Sequence, residues 1–284
     1  MSHLDLWYSE SFSKNWGIFL RIREGLYSSH TPYQRIDVLE TEEFGRVLVL
    51  DSAIMLTEKD EFIYHEMIVH VPLLSQPNPE KVLVIGGGDG GTLREIARHP
   101  EVREVRQVEI DAKVIEVSKK FFPQLSIGFD DPRVNIDVAD GIKYIAQCPK
   151  ESYDIILIDS TDPKGPAEGL FDPEFYRNCC TVLKPDGILT VQSGSPYFQQ
   201  DLMARVYKTF KNLFPLARVY LSGVITYGGL WSFALGSKKH DPLSGPVRKP
   251  NISELKYYTP QIHKACFVLP KYLEELLNSK DESK

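Results

Sequence analysis

Hydrophobic positions along the chain follow two regimes. Over residues 1–60 they come in short alternating or β-branched runs, as in "GIFLRIREGLYSSHTPYQRIDVLETEEFGRVLVLDSAIMLT", punctuated by the turn pairs Glu24-Gly25, Phe44-Gly45 and Asp51-Ser52. Alternation between turn residues predicts strands, here a small antiparallel β domain. From Glu61 the period lengthens. Phe62, Met67, Ile68 and Val71 share near-helical spacing, and Pro72 is expected to interrupt that helix.

Beyond the break "SQPNPE" the chain alternates strand and helix. "KVLVIG", "VREVRQVEID", "RVNIDVAD", "YDIILID" and "GILTVQSG" read as strands, each followed by a helix: "GTLREIARH", "AKVIEVSKKFF", "GIKYIAQC", "PEFYRNCCTVL" and "QQDLMARVYKTFKNLF". "ARVYLSGVI" and "LWSFALGSK" close the series as strands, and "YYTPQIHKACFVLPKYLEELL" reads as a final helical segment. Apolar strands alternating with amphipathic helices predict an α/β fold, a parallel, doubly wound sheet over 61–284 with helices on both faces. In such a sheet ligands lie beyond the carboxyl ends of the strands. Those ends are acidic here: Asp89, Glu109 and Asp111, Asp140, then Asp159 and Asp162, with Gln192 and Ser193 after the fifth strand.

Composition narrows the classes. With 284 residues, 42% hydrophobic and 25% charged, the chain can bury a large core, and nothing in it suggests disorder. A net charge of −6 speaks against nucleic acid and is compatible with cationic substrates. Cys148, Cys179, Cys180 and Cys266 lack metal-ligand spacing and read as reduced thiols. Without an apolar leader or a run long enough for a membrane span, the expectation is a soluble, cytoplasmic protein.

The candidate chemistry starts at "VLVIGGGDGG", where Gly86, Gly88 and Gly91 satisfy the G-x-G-x-x-G spacing of a nucleotide loop between strand and helix. Asp89 sits inside it. A pyrophosphate there would meet like-charge repulsion, whereas a sulfonium nucleoside carries no phosphate and is itself cationic. Glu109, ending the next strand, suits a ribose diol as a bidentate acceptor. In "VADG", Asp140 reads as an N-cap for the helix at Gly141, as a carboxylate for an adenine amino group, or as both. Asp159 and Asp162, before Pro163, Gly165 and Pro166, admit two readings: solvated acids of a capped loop, or a pair that recognises and deprotonates an amine. With no His nearby in the sequence, that pair does not read as a metal site. Tyr64 and His65 alone read as core packing and a satisfied polar residue.

Together "FGRVLVLD", "TEKDEFIYHEMIVHVPLL", "VLVIGGGDGGTLRE", "VEID", "DDPR", "VADG", "YDIILIDSTDPKGPAEGLF" and "FYRNCCTVLKPDGILTVQSGSP" resemble the polyamine aminopropyltransferases, the spermidine synthase family, in their bacterial form. The resemblance runs from about Trp7 to Leu276. It implies a Rossmann-like domain of the class I methyltransferase type and an N-terminal domain serving assembly and the substrate lid, in a homodimer or homotetramer. It also implies transfer of an aminopropyl group from decarboxylated S-adenosylmethionine to a diamine, usually putrescine, giving spermidine and 5′-methylthioadenosine. No metal or cofactor is implied, since the decarboxylated donor is a co-substrate. By this resemblance Gln34, Glu109, Asp140 and Gly141 hold the nucleoside in the loop of Gly86 and Gly88, with Pro166 and Ala167 beside the adenine. Asp89 binds the primary amine of the aminopropyl arm, and Asp159 is the proton acceptor. Asp162, Tyr64 and Gln192 position the diamine, with His65 close to it.

The chain departs from the family pattern at "ITYGGLW", where many members carry "TYPSG.W". Either Tyr227 keeps the diamine contact on a trimmed loop, or Thr226 stands in that tyrosine's place; Trp231 matches as a wall or core residue. Cadaverine, agmatine and spermidine are therefore open as acceptors. The competing activities are an N-methyltransferase using intact S-adenosylmethionine, an NAD-dependent oxidoreductase and a catalytically silent binding protein. Asp89 argues against the first by repelling the intact donor's carboxylate.

Overall fold

The computed structural model describes residues 5–248 and 254–279; the outermost residues of the expected 1–60 and 61–284 division lie outside them. The N-terminal part is an antiparallel sheet of β1 (Leu6–Ser13), β2 (Trp16–His30), β3 (Arg35–Thr41), β4 (Arg46–Leu50) and β5 (Ala53–Thr57), paired in chain order. Asp51 and Ser52, both at positive φ, form the β4–β5 turn, and Asp51 accepts from the Arg35 amide at 2.8 Å. One face of the sheet buries Ile36, Val38, Leu48 and Leu56 against Val114 and Val117 of a helix in the second part, so a continuous core joins the two.

Helix α1 (Glu61–Ser75) leads into that second part. Contrary to expectation, it runs through Pro72. An interior proline costs about 3 kcal/mol. Leu73 and Leu74 beyond it are almost fully buried, and burying one such side chain returns roughly 1.5–3 kcal/mol. Burial therefore carries the helix past the break.

The second part is a seven-stranded sheet ordered β11-β12-β10-β9-β6-β7-β8. Its strands are β6 (Lys81–Gly86), β7 (Glu104–Glu109), β8 (Val134–Val138), β9 (Tyr153–Asp159), β10 (Leu183–Gln192), β11 (Leu216–Val224) and β12 (Gly229–Ser237). Those from β6 to β10 are parallel, but β12 is antiparallel to both β10 and β11, so the sheet is mixed. The short turn at Gly228 makes a hairpin, which reverses direction where a helical crossover would have preserved it. The helices are α2 (Gly91–Ala97), α3 (Ala112–Phe121), α4 (Pro123–Ser126), α5 (Gly141–Gln147), α6 (Pro173–Val182) and α7 (Gln200–Leu213). One face packs on α1 and α2, the other on α5, α6 and α7. The C-terminal segment is two short helices, α8 (Pro260–Ala265) and α9 (Lys271–Asn278), interrupted before Pro270; Leu273 buries against Met203 and Val219. No helix of the described residues is long and apolar enough to cross a membrane.

The topology fixes where a ligand binds. The chain leaves β6 toward β7 and β8, then returns to β9 on the other side of β6. That reversal opens a crevice at the carboxyl ends of β6 and β9. There Gly86 pairs with Asp159, and the Gly87 amide donates to the Asp159 carbonyl at 2.8 Å.

Candidate active site

Side chains reach this crevice because glycines let the backbone close in. At Gly86 (φ +84°) a Cβ would stand 2.1 Å from the Asp159 carbonyl oxygen; at Gly88 it would meet Val114 and the Glu109 carboxylate at 2.9 and 3.0 Å. A cavity of about 290 Å³ opens above them, near the lower end of the ~300–1,000 Å³ usual for small-molecule sites. Its lining brings together Gln34, Tyr64, His65, Gly86, Gly88, Asp89, Glu109, Asp140, Gly141, Asp159, Asp162, Pro166, Ala167, Gln192, Tyr227 and Trp231. These residues span most of the chain and meet at one place.

Asp159 Oδ1 accepts from the Tyr64 hydroxyl at 2.7 Å and Oδ2 from the Thr92 hydroxyl at 2.6 Å. Burial, then the neighbouring Asp89 charge, raises this carboxyl above its ordinary range. Tyr64, buried and beside Asp159, titrates well above the usual phenol and stays a donor. Asp89 Oδ1 accepts from the Gly91 amide at 2.6 Å and faces His65 Nε2 at 3.2 Å. Burial pushes Asp89 upward, but the His65 charge and hydrogen bond bring it below the usual carboxylate range. Glu109 rises to about 7, through burial first and then the charges of Asp111, Asp159 and Asp89, against the Asp111 amide it accepts from. So three neighbouring carboxyls are tuned apart, one toward the anion and two toward the acid.

At the nucleoside end, Asp140 accepts from the Ile142 and Lys143 amides, so the N-cap reading holds. Gln34 donates to Asp111 at 3.1 Å, and Asp111 also caps α3. Pro166 and Ala167 lie in a 3₁₀ helix over Gly165–Phe171 where the sequence suggested only a stiff turn. At the opposite end the Gln192 amide nitrogen donates to the Ser160 and Thr161 carbonyls at 3.3 Å, pinning the loop that bears Asp162. Of the two readings of "ITYGGLW", Tyr227 lines the cavity, edge-on to Tyr64 and Trp231, while Thr226 is buried on Asp60.

Several lining residues were not legible in the sequence. Glu10 reaches in from β1, accepts from the Ile54 amide at 2.8 Å, and is raised to about 7 by burial and then by Asp162. Gln199 donates to Asp162 at 2.7 Å. Phe12 of β1 stacks on Phe198, centroids 5.8 Å apart, and both line that end of the cavity, while Trp16 of β2 stacks on Phe198 at 4.8 Å. The signal for Glu10 was the single carboxylate alternating with serines in "YSESFS". Thr92 could have been found as the first-turn hydroxyl after the glycine loop. Phe198 had no local signal.

His65, Asp89 and Asp159 place one ligand atom each within 4.8 Å, a spacing a metal ion could bridge. His65, however, has a carboxylate on each ring nitrogen, and burial notwithstanding, Asp89 and Glu61 hold it well above its ordinary value. An imidazolium has no lone pair to give a metal.

The arrangement sets an anionic carboxylate beside a raised carboxyl, between a second raised carboxyl at Glu109 and an acidic, aromatic-walled slot. A family model described as the spermine/spermidine synthase domain matches residues 61–244, and one described as the spermidine synthase tetramerisation domain matches 6–58. A polyamine aminopropyltransferase of Shouchella clausii is 48% identical over 275 residues, covering 96% of this chain and 100% of that protein. The Bacillus subtilis polyamine aminopropyltransferase is also 48% identical, over 96% and 99%. Among solved structures, a spermidine synthase in complex with the transition-state analogue AdoDATO superposes with TM-score 0.92 at 44% identity, covering 96% of this chain and 94% of that one. Spermidine synthase from Thermotoga maritima gives TM-score 0.91 at 44% identity over the same shares.

Proposed function

We propose, from the premise that the chain belongs to the spermine/spermidine synthase family and is an aminopropyltransferase, that its donor is decarboxylated S-adenosylmethionine and its acceptor putrescine. The products are spermidine and 5′-methylthioadenosine, with no metal or further cofactor. The observation that carries this reading is Asp89, a largely buried carboxylate held toward the anion inside the glycine turn, bonded to the Gly91 amide and in the same cavity as the raised carboxyl of Asp159. A donor arm ending in an ammonium fits that carboxylate; one that also carries a carboxylate is repelled.

In this reading Glu109 accepts from the ribose hydroxyls and Gln34 lies along the same edge. Asp140, Gly141, Pro166 and Ala167 enclose the adenine, while Gly86 and Gly88 let the nucleoside approach the backbone. The acceptor enters as a dication, steered by Glu10, Asp159 and Asp162. A free alkyl amine has a pKa of about 10.4, so it arrives protonated and unreactive. Asp159 takes one proton from the near nitrogen, positioned by Tyr64, while Asp162 and Glu10 hold the distal ammonium. His65 and Gln192 fix the surrounding carboxylate and loop, and Tyr227 and Trp231 wall the alkyl chain. The freed nitrogen lone pair attacks the aminopropyl methylene bonded to sulfur. The C–S bond breaks in line, its electrons return to sulfur, and neutral methylthioadenosine leaves. Charge passes from sulfonium to the new ammonium, so orientation and deprotonation supply the acceleration.

The exposed face of β1 and β2 carries Trp7 and Phe19, 58% and 68% exposed, and supports self-assembly as a tetramer through this sheet. We place the enzyme in the cytoplasm. The test is product analysis with decarboxylated S-adenosylmethionine and diamines of graded length. Methylthioadenosine and spermidine should form fastest with putrescine. A faster rate with cadaverine or agmatine overturns the acceptor, and turnover of intact S-adenosylmethionine alone overturns the donor.

A further inference from the structure

Asp89, Asp159 and Glu109 all line one end of the cavity, the last two buried and Asp89 largely so, yet only Asp89 is held toward the anion. What distinguishes it lies behind the cavity wall. His65 Nδ1 is 2.6 Å from Glu61 Oε2, one turn back on α1, while Nε2 faces Asp89. Glu61 receives both terminal nitrogens of Arg94, each at 2.9 Å, a two-pronged contact across the packed pair α1 and α2. Arg94 Nε donates to Glu95 at 2.7 Å. Burial opposes the charge on Glu61, but His65 and Arg94 hold it ionised. The ring is also held sterically: a Cβ at Gly91 would lie 2.4 Å from His65 Cε1. Neither Glu61 nor Arg94 is among the described residues that line the cavity.

The charged groups facing the ring are Glu61 on its own helix, Asp89 in the glycine turn and Asp159 at the end of β9, with Arg94 behind Glu61. Arg94, Glu61, His65 and Asp89 alternate in sign, so each buried charge has an opposite neighbour. Without Glu61 the ring would keep Asp89 as its single bonded carboxylate, and Arg94 would lose its two-pronged partner.

We propose that Glu61 and Arg94 are positioning residues for the donor's aminopropyl arm: acting through His65, they fix Asp89 as the receptor of that arm's ammonium and leave Asp159 to the acceptor. The inference rests on the reading of Asp89 given above. Its signature is selective. Methylthioadenosine lacks the ammonium-bearing arm, so its affinity is insensitive to the network, whereas the decarboxylated donor depends on it.

The test compares wild type with Glu61→Gln and the charge-balanced double variant Glu61→Gln/Arg94→Gln. In both, KM for the decarboxylated donor should rise about ten- to a hundredfold, the loss of one charge-assisted contact. Methylthioadenosine Kd should stay within about twofold and kcat at saturating donor within about threefold, a split that a merely structural defect does not produce. An unchanged donor KM, or equal losses for donor and methylthioadenosine, overturns the proposal. Should the variants fail to fold, nitrogen-15 spectra of wild-type His65 decide. Both ring nitrogens should be protonated at about pH 8, and a neutral tautomer there overturns it. A wild type that fails to turn over the decarboxylated donor sinks the function itself, which is a separate outcome.

Discussion

Glu109 shows how one side chain's environment becomes measurable. Raised to about 7 by burial and by neighbouring carboxylates, it is largely protonated in the empty cavity below neutrality. A ribose diol donates two hydrogen bonds and favours the carboxylate. Methylthioadenosine binding near pH 6.5 should therefore release a proton, seen as a binding enthalpy that varies with the ionisation heat of the buffer. Glu109→Gln should abolish that dependence, and proton uptake in the wild type would contradict the assigned contact. Asp89, Glu109, Asp140 and Asp159 were legible as cavity residues because each ends a strand or follows one within three residues, where chain order alone predicts proximity to a ligand. Glu10, Thr92 and Phe198 were not, since their place depends on contacts with residues distant in the chain.

The strand–turn–helix from β6 through the glycine turn to α2 carries the tightest geometric demand. Gly86 combines φ +84° with a backbone oxygen 2.1 Å from where a Cβ would sit. Gly86→Ala is expected to destabilise the protein by about 1–3 kcal/mol of backbone strain, more if β6 and β9 must part. A lowered thermal midpoint with loss of methylthioadenosine binding is the expected result; unchanged values for both would show that the turn relaxes freely. The alternating strands and helices around this turn were legible because their hydrophobic period was. Pro72 misled because a local rule was outweighed by burial on every side of α1. The direction of β12 was hidden because an apolar run does not encode its orientation, only the length of the turn before it does. The 3₁₀ helix over Gly165–Phe171 was invisible in a segment whose glycine and prolines read as a turn.

The molecule joins two sheets through the core shared by β3, β4, β5 and α3, and the cavity draws residues from both of them, while Trp7 and Phe19 are not among the described residues that line it. The assembly proposed for the exposed face of β1 and β2 is therefore expected to be separable from the chemistry. Phe19→Glu should dissociate the oligomer in sedimentation analysis while methylthioadenosine Kd stays within about twofold, since added charge disfavours an apolar interface without touching the site. A cavity lost together with the assembly would place part of the site across subunits.

Phe12 and Trp16 meet Phe198 where the small sheet leans over the large one. The berth proposed for the donor, by contrast, draws mainly on the glycine turn, the neighbouring strand ends and the 3₁₀ helix, with Gln34 the contribution of the small sheet's side. On the proposed reading, such a division would let ancestry or an engineer re-cut the acceptor's end stop by trading the Phe12 ring for a slimmer side chain, giving longer amines room while the sulfonium chemistry underneath is inherited unaltered.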